Sequence, residues 1–361
     1  MANPAQFIDR PSEVRESDLP DRDALLSWIS ERLPVDRESM ILRQFPGGYS
    51  NLTFELTSGI QSWILRMPPN GADIKSAHDM GREFNVLSLL KPVYPLVPAP
   101  VLYCADSSVM GRPFYLMEKL EGIILRNKLP EGLNLSPSDM QAISSSAIEN
   151  LARLHDVELI ESKLFSLGKP EGYVRRQVEG WISRYQKAQT DLVPDMERAG
   201  EWMKTHQPVD GKPAFIHNDY KYDNLVLNPG NLREIKAVLD WEMATVGDPL
   251  MDLGTTLAYW AEASDGPVLK PFNLTWLPGN LNRADVVSLY ARQRGISPPD
   301  MVFYFVFGSY KIAVIVQQIY ARYQKGLTTD ARFANLHYVV KACARNAAMA
   351  IQKQRISNLE S

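Results

Sequence analysis

Cysteine is nearly missing from this sequence: Cys104 and Cys343 are the only two in 361 residues. One bridge is the most they could form, so a disulfide-stapled scaffold is excluded and a reducing, cytoplasmic setting is expected. Excess positive charge is missing too. With 39 Lys and Arg against 42 Asp and Glu, the net charge is −3. That argues against nucleic acid as a partner, because a phosphodiester backbone is bound by clustered cations. The first residues have no apolar run. Asp9, Glu13, Glu16 and Asp18 stand where a signal peptide would be hydrophobic, so none is expected. There is no Cys/His spacing of the zinc type and no nucleophile elbow for Ser-His-Asp hydrolysis. Internal repeats and low-complexity tracts are absent as well.

One apolar stretch, Met301 to Tyr320, is about long enough to span a bilayer. It carries Lys311, Gln317 and Gln318, with the small residues Gly308 and Ser309, so it reads as a buried core helix and no membrane partner is expected. The apolar fraction of 45% and the length allow two domains, or one domain with a large second lobe.

Residues 1–20 read as a flexible leader, and Leu25, Leu26, Trp28, Ile29 and Leu33 as an amphipathic helix ending near Pro34. Short apolar runs follow at 41–45, 52–56 and 63–67, separated by Pro46-Gly47-Gly48 and Ser58-Gly59. They predict three antiparallel strands. A helix is predicted from about Ser76 to Leu90, then strands at 101–104 and 114–117. Beyond Gly122 the pattern is mainly helical, near 138–156, 174–188, 195–206 and 285–293. A strand-rich first third joined to a helix-rich remainder implies two lobes, 1–118 and 119–361, with a ligand cleft between them.

The stretch from Phe215 to Val246 interrupts the helices. It reads His217-Asn218-Asp219-Tyr220-Lys221-Tyr222-Asp223-Asn224, then two apolar runs around Asn228-Pro229-Gly230-Asn231, then Asp240-Trp241-Glu242. The runs form a hairpin, which brings Asn224 back beside Asp240, with Asp219 on the entering loop. Phosphoryl transfer needs such a grouping, since its transition state calls for positioning and charge neutralisation. Asp219 suits the role of base for an attacking hydroxyl. Asn224 and Asp240 offer the hard oxygens that Mg²⁺ prefers. Lys221 is placed to offset charge on the transferring group.

The pattern His-x-Asp-x-Lys-x-x-Asn, with an Asp after a short hairpin, resembles the catalytic loop and metal-binding Asp of the protein-kinase-like superfamily. Asp240-Trp241-Glu242, followed by Gly247-Asp248-Pro249-Leu250-Met251-Asp252-Leu253-Gly254, is similar to aminoglycoside phosphotransferases. Within that family the sequence looks closest to the kinase-like domains of acyl-CoA dehydrogenase fusion proteins. The resemblance runs from about Phe45 to Gly254 and more loosely beyond. It implies an α+β, protein-kinase-like two-lobed fold, with an antiparallel sheet plus helix first and a mainly helical lobe after it. It also implies ATP and Mg²⁺ as cofactors.

The resemblance makes Gly47, Gly48, Ser50 and Asn51 the nucleotide-covering loop, where glycines let the backbone approach phosphates. Arg66 stands where the family often carries a phosphate-binding Lys, and Glu83 where it carries that residue's ion-pair partner. Arginine is a planar fork rather than a point charge, so this is a departure from the pattern. Met117, Glu118 and Leu120 are placed at the adenine. Asp252 resembles the buried Asp that holds the catalytic-loop backbone, with His217 supporting the same loop. His155 reads as structural.

The resemblance also implies a hydroxylated small molecule as acceptor. From Lys270 onward there are twelve cations (Lys270, Arg283, Arg292, Arg294, Lys311, Arg322, Lys325, Arg332, Lys341, Arg345, Lys353 and Arg355) against Asp285, Asp300, Asp330 and Glu360. This balance suggests an anionic or neutral acceptor, such as a hydroxyacyl compound, rather than a polycationic aminoglycoside. A protein kinase is disfavoured, because Gly247-Asp248-Pro249 follows Asp240 too soon for an activation segment. A catalytically degenerate nucleotide-binding or scaffold protein is the alternative, favoured by Arg66.

Overall fold

The structure is a computed structural model and describes residues 4–15, 18, 19, 21–45, 51–69, 79–297, 299–328 and 330–360. Among these residues, β1 (Met40–Gln44), β2 (Leu52–Ser58), β3 (Gln61–Met67), β4 (Pro100–Cys104) and β5 (Phe114–Glu118) form one sheet. Its strand order is β1-β2-β3-β5-β4, antiparallel throughout. The tight turn at Gly59, at φ +58° with open space around it, lets β2 and β3 pair from Ser58 opposite Gln61 to Leu52 opposite Met67.

Period-two alternation divides the side chains of the sheet between two cores. Phe114 and Leu116 join Phe54, Leu56 and Leu65 beneath α1 (Arg22–Ser30) and α3 (Ser107–Met110). Tyr115 and Met117 point the other way, into the main core with α2 (Met80–Leu90). Burying each such Phe or Leu is worth about 1.5–3 kcal/mol, so a one-residue slip of β5 would cost both cores at once. The helix expected from about Ser76 is seen from Met80, where Asp79 caps the Arg82 amide at 2.9 Å. The expected leader has partners over its described part. Phe7 reaches the main core, and Ser12 and Gln44 form an isolated antiparallel bridge that satisfies part of the exposed edge of β1.

After Glu118 the chain enters a helical region. It comprises α4 (Pro137–His155), α5 (Tyr173–Ala188), α6 (Pro194–Thr205), α7 (Pro249–Tyr259), α8 (Arg283–Arg294), α9 (Val302–Gln324) and α10 (Leu336–Lys353). Two ribbons interrupt it. β6 (Ala214–Ile216) pairs with β9 (Thr245–Gly247), and β7 (Leu225–Asn228) with β8 (Asn231–Val238). The connecting segment is pinned to the second ribbon. Ile123 and Leu227 exchange backbone bonds of 2.9 and 2.8 Å, and a Cβ on Gly122 would lie 2.5 Å from the Leu227 carbonyl oxygen. Only glycine fits there.

Helix α9 is long and apolar enough to cross a membrane, yet 83% of its most apolar stretch is buried inside the protein. It is the central helix of the helical region. Gly254 of α7 and Gly308 of α9 let these two backbones meet without side chains between them. The approach sets Lys311, one turn past Gly308, beneath the loop that joins β6 to β7.

Candidate active site

The β7–β8 hairpin closes where the Leu239 amide donates to the Asn224 carbonyl at 2.9 Å, so the residues flanking the ribbon share one end of it. Asn224 Nδ2 donates to the Asp219 carbonyl (2.8 Å) and to its Oδ2 (3.1 Å), leaving the amide oxygen of Asn224 free to face outward. Lys221 Nζ lies 2.9 and 3.1 Å from the two Asp219 carboxylate oxygens and 4.7 Å above the Tyr259 ring. Burial would raise the Asp219 carboxyl, but Lys221, by charge and hydrogen bond, and Lys311 hold it below the usual carboxylate range. It is ionised at neutral pH. Lys221 is held above its ordinary value, chiefly by Asp219 against the cost of burial, and keeps its charge.

The loop carrying Asp219 is fixed from below. Asp252 on α7 accepts the His217 and Asn218 amides at 2.8 Å each, and His155 Nε2 donates to it at 3.0 Å. Tyr290 joins the other nitrogen of His155 at 2.7 Å, so the histidine orients the carboxylate as a structural residue. Burial alone would raise the Asp252 carboxyl, but these donors hold it low. His217 Nδ1 accepts the Asp219 amide (3.2 Å) and its Nε2–H donates to the Leu239 carbonyl (2.9 Å). Burial depresses its pKa, which keeps the neutral form that these two bonds require. Asn218 has φ +68°, a left-handed conformation costing about 1–2 kcal/mol for a residue with a Cβ.

Across from the ribbon, Arg66 of β3 is paired with Glu83 of α2 at 2.5 Å and with Asp240 at 3.1 Å. The strand register puts Arg66 opposite Tyr115, on the sheet face that α2 covers. Asn51 Nδ2 donates to Glu242 Oε2 at 2.9 Å, and Glu242 lies 4.0 Å from Arg66. Arg82 reaches the Ala244 carbonyl at 2.6 Å. Sequence reasoning did not single out Glu242, Arg82 or the contact of Lys311 with this loop. The signal for Lys311 was a lone lysine in an apolar helix, which needs a buried partner.

The remaining expected residues fall as follows. Gly47, Gly48 and Ser50 lie outside the described residues. Met117 is the last residue but one of β5 and faces the main core, and the Glu118 amide donates to the Ala99 carbonyl at 2.8 Å. Leu120 is half-buried just beyond. The cations counted after residue 270 are not a free wall. Arg283 is buried against Glu262 and Asp265, and Arg294, Arg332 and Arg345 pair with Asp156, Asp330 and Glu360. Close to Asp219, the positive groups are Lys221, Lys311 and, through Lys311, Arg184.

The donor set suits Mg²⁺. Asp240 is part-exposed and the Asn224 amide oxygen faces the same end of the ribbon. Burial and the neighbouring Asp240 charge push the Glu242 carboxyl upward. Two carboxylates that repel each other, with only one guanidinium between them, fit a place for a further cation.

The family model for the phosphotransferase enzyme family matches residues 41–286. Human acyl-CoA dehydrogenase family member 11 is 34% identical over 332 residues, covering 88% of this chain and 42% of that protein. The chain thus spans less than half the length of this curated relative. Among solved structures, a protein of Ralstonia eutropha JMP134 assigned to the aminoglycoside phosphotransferases is 28% identical with a TM-score of 0.77, covering 92% of this chain and 98% of that one. A thermostable mutant of aminoglycoside phosphotransferase APH(4)-Ia, in ternary complex with AMP-PNP and hygromycin B, has a TM-score of 0.58 at 15% identity, covering 89% and 96%; it bears on the fold alone. The fold is the kinase-like one, an antiparallel sheet followed by a helical region. The chain belongs to the phosphotransferase enzyme family.

Proposed function

We propose that this protein transfers the γ-phosphoryl group of ATP to a hydroxyl of a small molecule. One observation carries the reading: Asp219, Lys221, Asn224 and Asp240 gather at one end of the β7–β8 ribbon, facing the Arg66–Glu83 pair. ATP would bind between the lobes 1–118 and 119–361, with Met117, Glu118 and Leu120 for its adenine and Gly47, Gly48, Ser50 and Asn51 for its phosphates. Asp240 and Asn224 would hold Mg²⁺, which would supply charge neutralisation for the phosphates.

Asp219 orients the acceptor hydroxyl and takes its proton at the carboxylate as the new O–P bond forms and the bond from the γ-phosphorus to ADP breaks. Lys221 offsets the charge on the transferring group, and Arg66, steadied by Glu83, binds the nucleotide phosphates. For the acceptor we infer an anionic or neutral, hydroxyacyl type of molecule. The support is the positive character beside Asp219, from Lys221 and Lys311. Strong turnover of kanamycin-like compounds would overturn that part. A cytoplasmic setting belongs to the same proposal, in keeping with the free thiols of Cys104 and Cys343.

The test is calorimetric binding of ATP with and without Mg²⁺ to wild type and Asp240→Ala. Binding that needs Mg²⁺ and weakens in the variant supports the reading. Wild type that binds no ATP favours the alternative, a catalytically degenerate scaffold, for which the Arg66 contact with Asp240 is the observation.

A further inference from the structure

Lys311 is the charged residue of α9 that points into the protein. It is buried, with 2% of its surface exposed. Its Nζ donates to the Asn218 carbonyl at 2.7 Å and to the Asn218 side-chain oxygen at 3.2 Å. It also lies 5.9 Å above the Trp181 ring of α5. The other polar atoms of Asn218 are committed as well. Its amide donates to Asp252 at 2.8 Å, and its Nδ2 donates to the Met243 carbonyl at 3.1 Å. A left-handed non-glycine residue persists only where its surroundings over-determine it. Here Asp252 holds the amide side of residue 218 and Lys311 holds the carbonyl side. The carbonyl of residue 218 belongs to the peptide that leads into Asp219.

We propose that Lys311 is a positioning residue for phosphotransfer: its ammonium clamps Asn218 in the left-handed conformation and so fixes where the Asp219 carboxylate points. The inference rests on the reading of Asp219 as the base. It predicts a pH dependence, because only the ammonium form carries the charge that strengthens both Asn218 contacts and favours the Asp219 carboxylate.

The groups facing Lys311 are Asp252 from α7, Asp219 and Lys221 from the loop, and Arg184 from α5. From α6, Glu197 and Glu201 act on the adjacent Tyr310, and Cys343 of α10 is directed to Tyr259. Burial, opposed by Asp252 and Asp219, pushes the Lys311 ammonium down to about 8. An unfolded lysine titrates near 10.4. Between those values the unfolded chain binds more protons, so this group makes the fold more stable as pH rises. Turnover should fall over the same interval. By the titration of this group alone, alkaline loss of activity is not loss of fold.

The experiment compares wild type, Lys311→Met and Lys311→Arg, with thermal melts to confirm that each is folded. Two readouts are taken from pH 6.5 to 9.5. One is ADP release from Mg·ATP with water as the acceptor. The other is amide hydrogen exchange over residues 214–224, corrected for the intrinsic effect of pH. The expected result is a wild-type kcat that declines above about pH 8. Lys311→Met should lower kcat by about 10²-fold, in the range of a displaced catalytic group, with KM for ATP within about twofold. In Lys311→Arg, whose charge does not titrate, the alkaline decline should flatten. Exchange at residues 214–224 should quicken in Lys311→Met and, in wild type, above pH 8.

A Lys311→Met protein with wild-type kcat and pH profile overturns the proposal. If wild type neither binds Mg·ATP nor releases ADP, the phosphotransferase reading fails by itself. The exchange data still decide about Lys311: unchanged protection of residues 214–224 in Lys311→Met overturns the clamp.

Discussion

Arg66 of β3 and Asp240, 174 residues further along the chain, form an ion pair of 3.1 Å. The same guanidinium holds Glu83 at 2.5 Å, so one planar fork ties a strand, a helix and the end of the β7–β8 ribbon together. A lysine could serve one of these carboxylates well, but its single ammonium would not span both.

Replacing Arg66 should therefore be felt first in stability. Glu83 is buried, and Arg66→Met would leave its carboxylate without a cationic partner. The expected loss is about 3–5 kcal/mol, the usual cost of breaking a buried pair from one side. Arg66→Lys should lose about 1–2 kcal/mol, retaining the charge but not the second contact. Urea denaturation of the three proteins measures this. Equal stability of wild type and Arg66→Met would mean that Glu83 is protonated or solvated and that the pair is not a structural tie.

Asp219→Ala should abolish transfer while ATP binding remains, since Asp219 bonds Lys221 and Asn224 and makes no tie to Arg66 or Glu83. The expected drop in kcat is about 10²–10⁴-fold, with the Kd for Mg·ATP within about threefold. The pH profile adds a second check. The Asp219 carboxyl is held below its ordinary value, so the acid limb of turnover should lie below about pH 3.9. The stability it contributes is present above that value and is lost as pH falls through the folded pKa. An acid limb near pH 6 would assign the base to another group.

Asp252→Ala should be among the most damaging single changes. It removes the acceptor of two backbone amides and of His155, all buried. Each orphaned donor costs about 1–3 kcal/mol, so a loss of about 3–5 kcal/mol is expected. Asp252→Asn keeps one oxygen and should lose about half as much. Chemical denaturation at neutral pH reads both values. A loss under 1 kcal/mol for the alanine variant would mean that water replaces the carboxylate there.

Much of this arrangement was legible in the sequence, for identifiable reasons. The strands at 52–58 and 61–67 declare themselves by alternation and by a glycine turn, and the order Asp219, Lys221, Asn224, Asp240 survives because a short hairpin turns chain order into spatial proximity. Contacts made across long separations were not legible. Glu242 with Asn51, 191 residues apart, gives no local signal. The pairing of several cations after residue 270 was not legible for the same reason. Arg283 finds Glu262 and Asp265, and Arg294 finds Asp156, only once the helices are packed. Lys311 lay in plain view as an exception to its helix, but its partner is a backbone carbonyl, which has no sequence signature.

The last prediction concerns the helix contact that puts Lys311 in reach. A Cβ on Gly308 would lie 2.3 Å from the Gly254 carbonyl oxygen, and one on Gly254 would lie 2.3 Å from the Tyr304 carbonyl oxygen. In a helix interior, alanine is ordinarily better than glycine by about 0.5–1 kcal/mol. At Gly180 of α5, where a Cβ would meet only the flexible end of Arg184 at 3.1 Å, Gly180→Ala should follow that rule and stabilise. Gly308→Ala should do the opposite, because the obstruction is backbone and α7 and α9 must separate. The expected loss is about 1–3 kcal/mol, as for other overpacked sites. Opposite signs for the same substitution in two helices, read by thermal melts, isolate the close approach from helix propensity. A separation there also draws Lys311 away from Asn218, so Gly308→Ala should quicken hydrogen exchange at residues 214–224 while Gly180→Ala leaves it unchanged. If both variants gain stability, the two backbones do not touch at Gly308, and the position of Lys311 beneath the loop loses its structural cause.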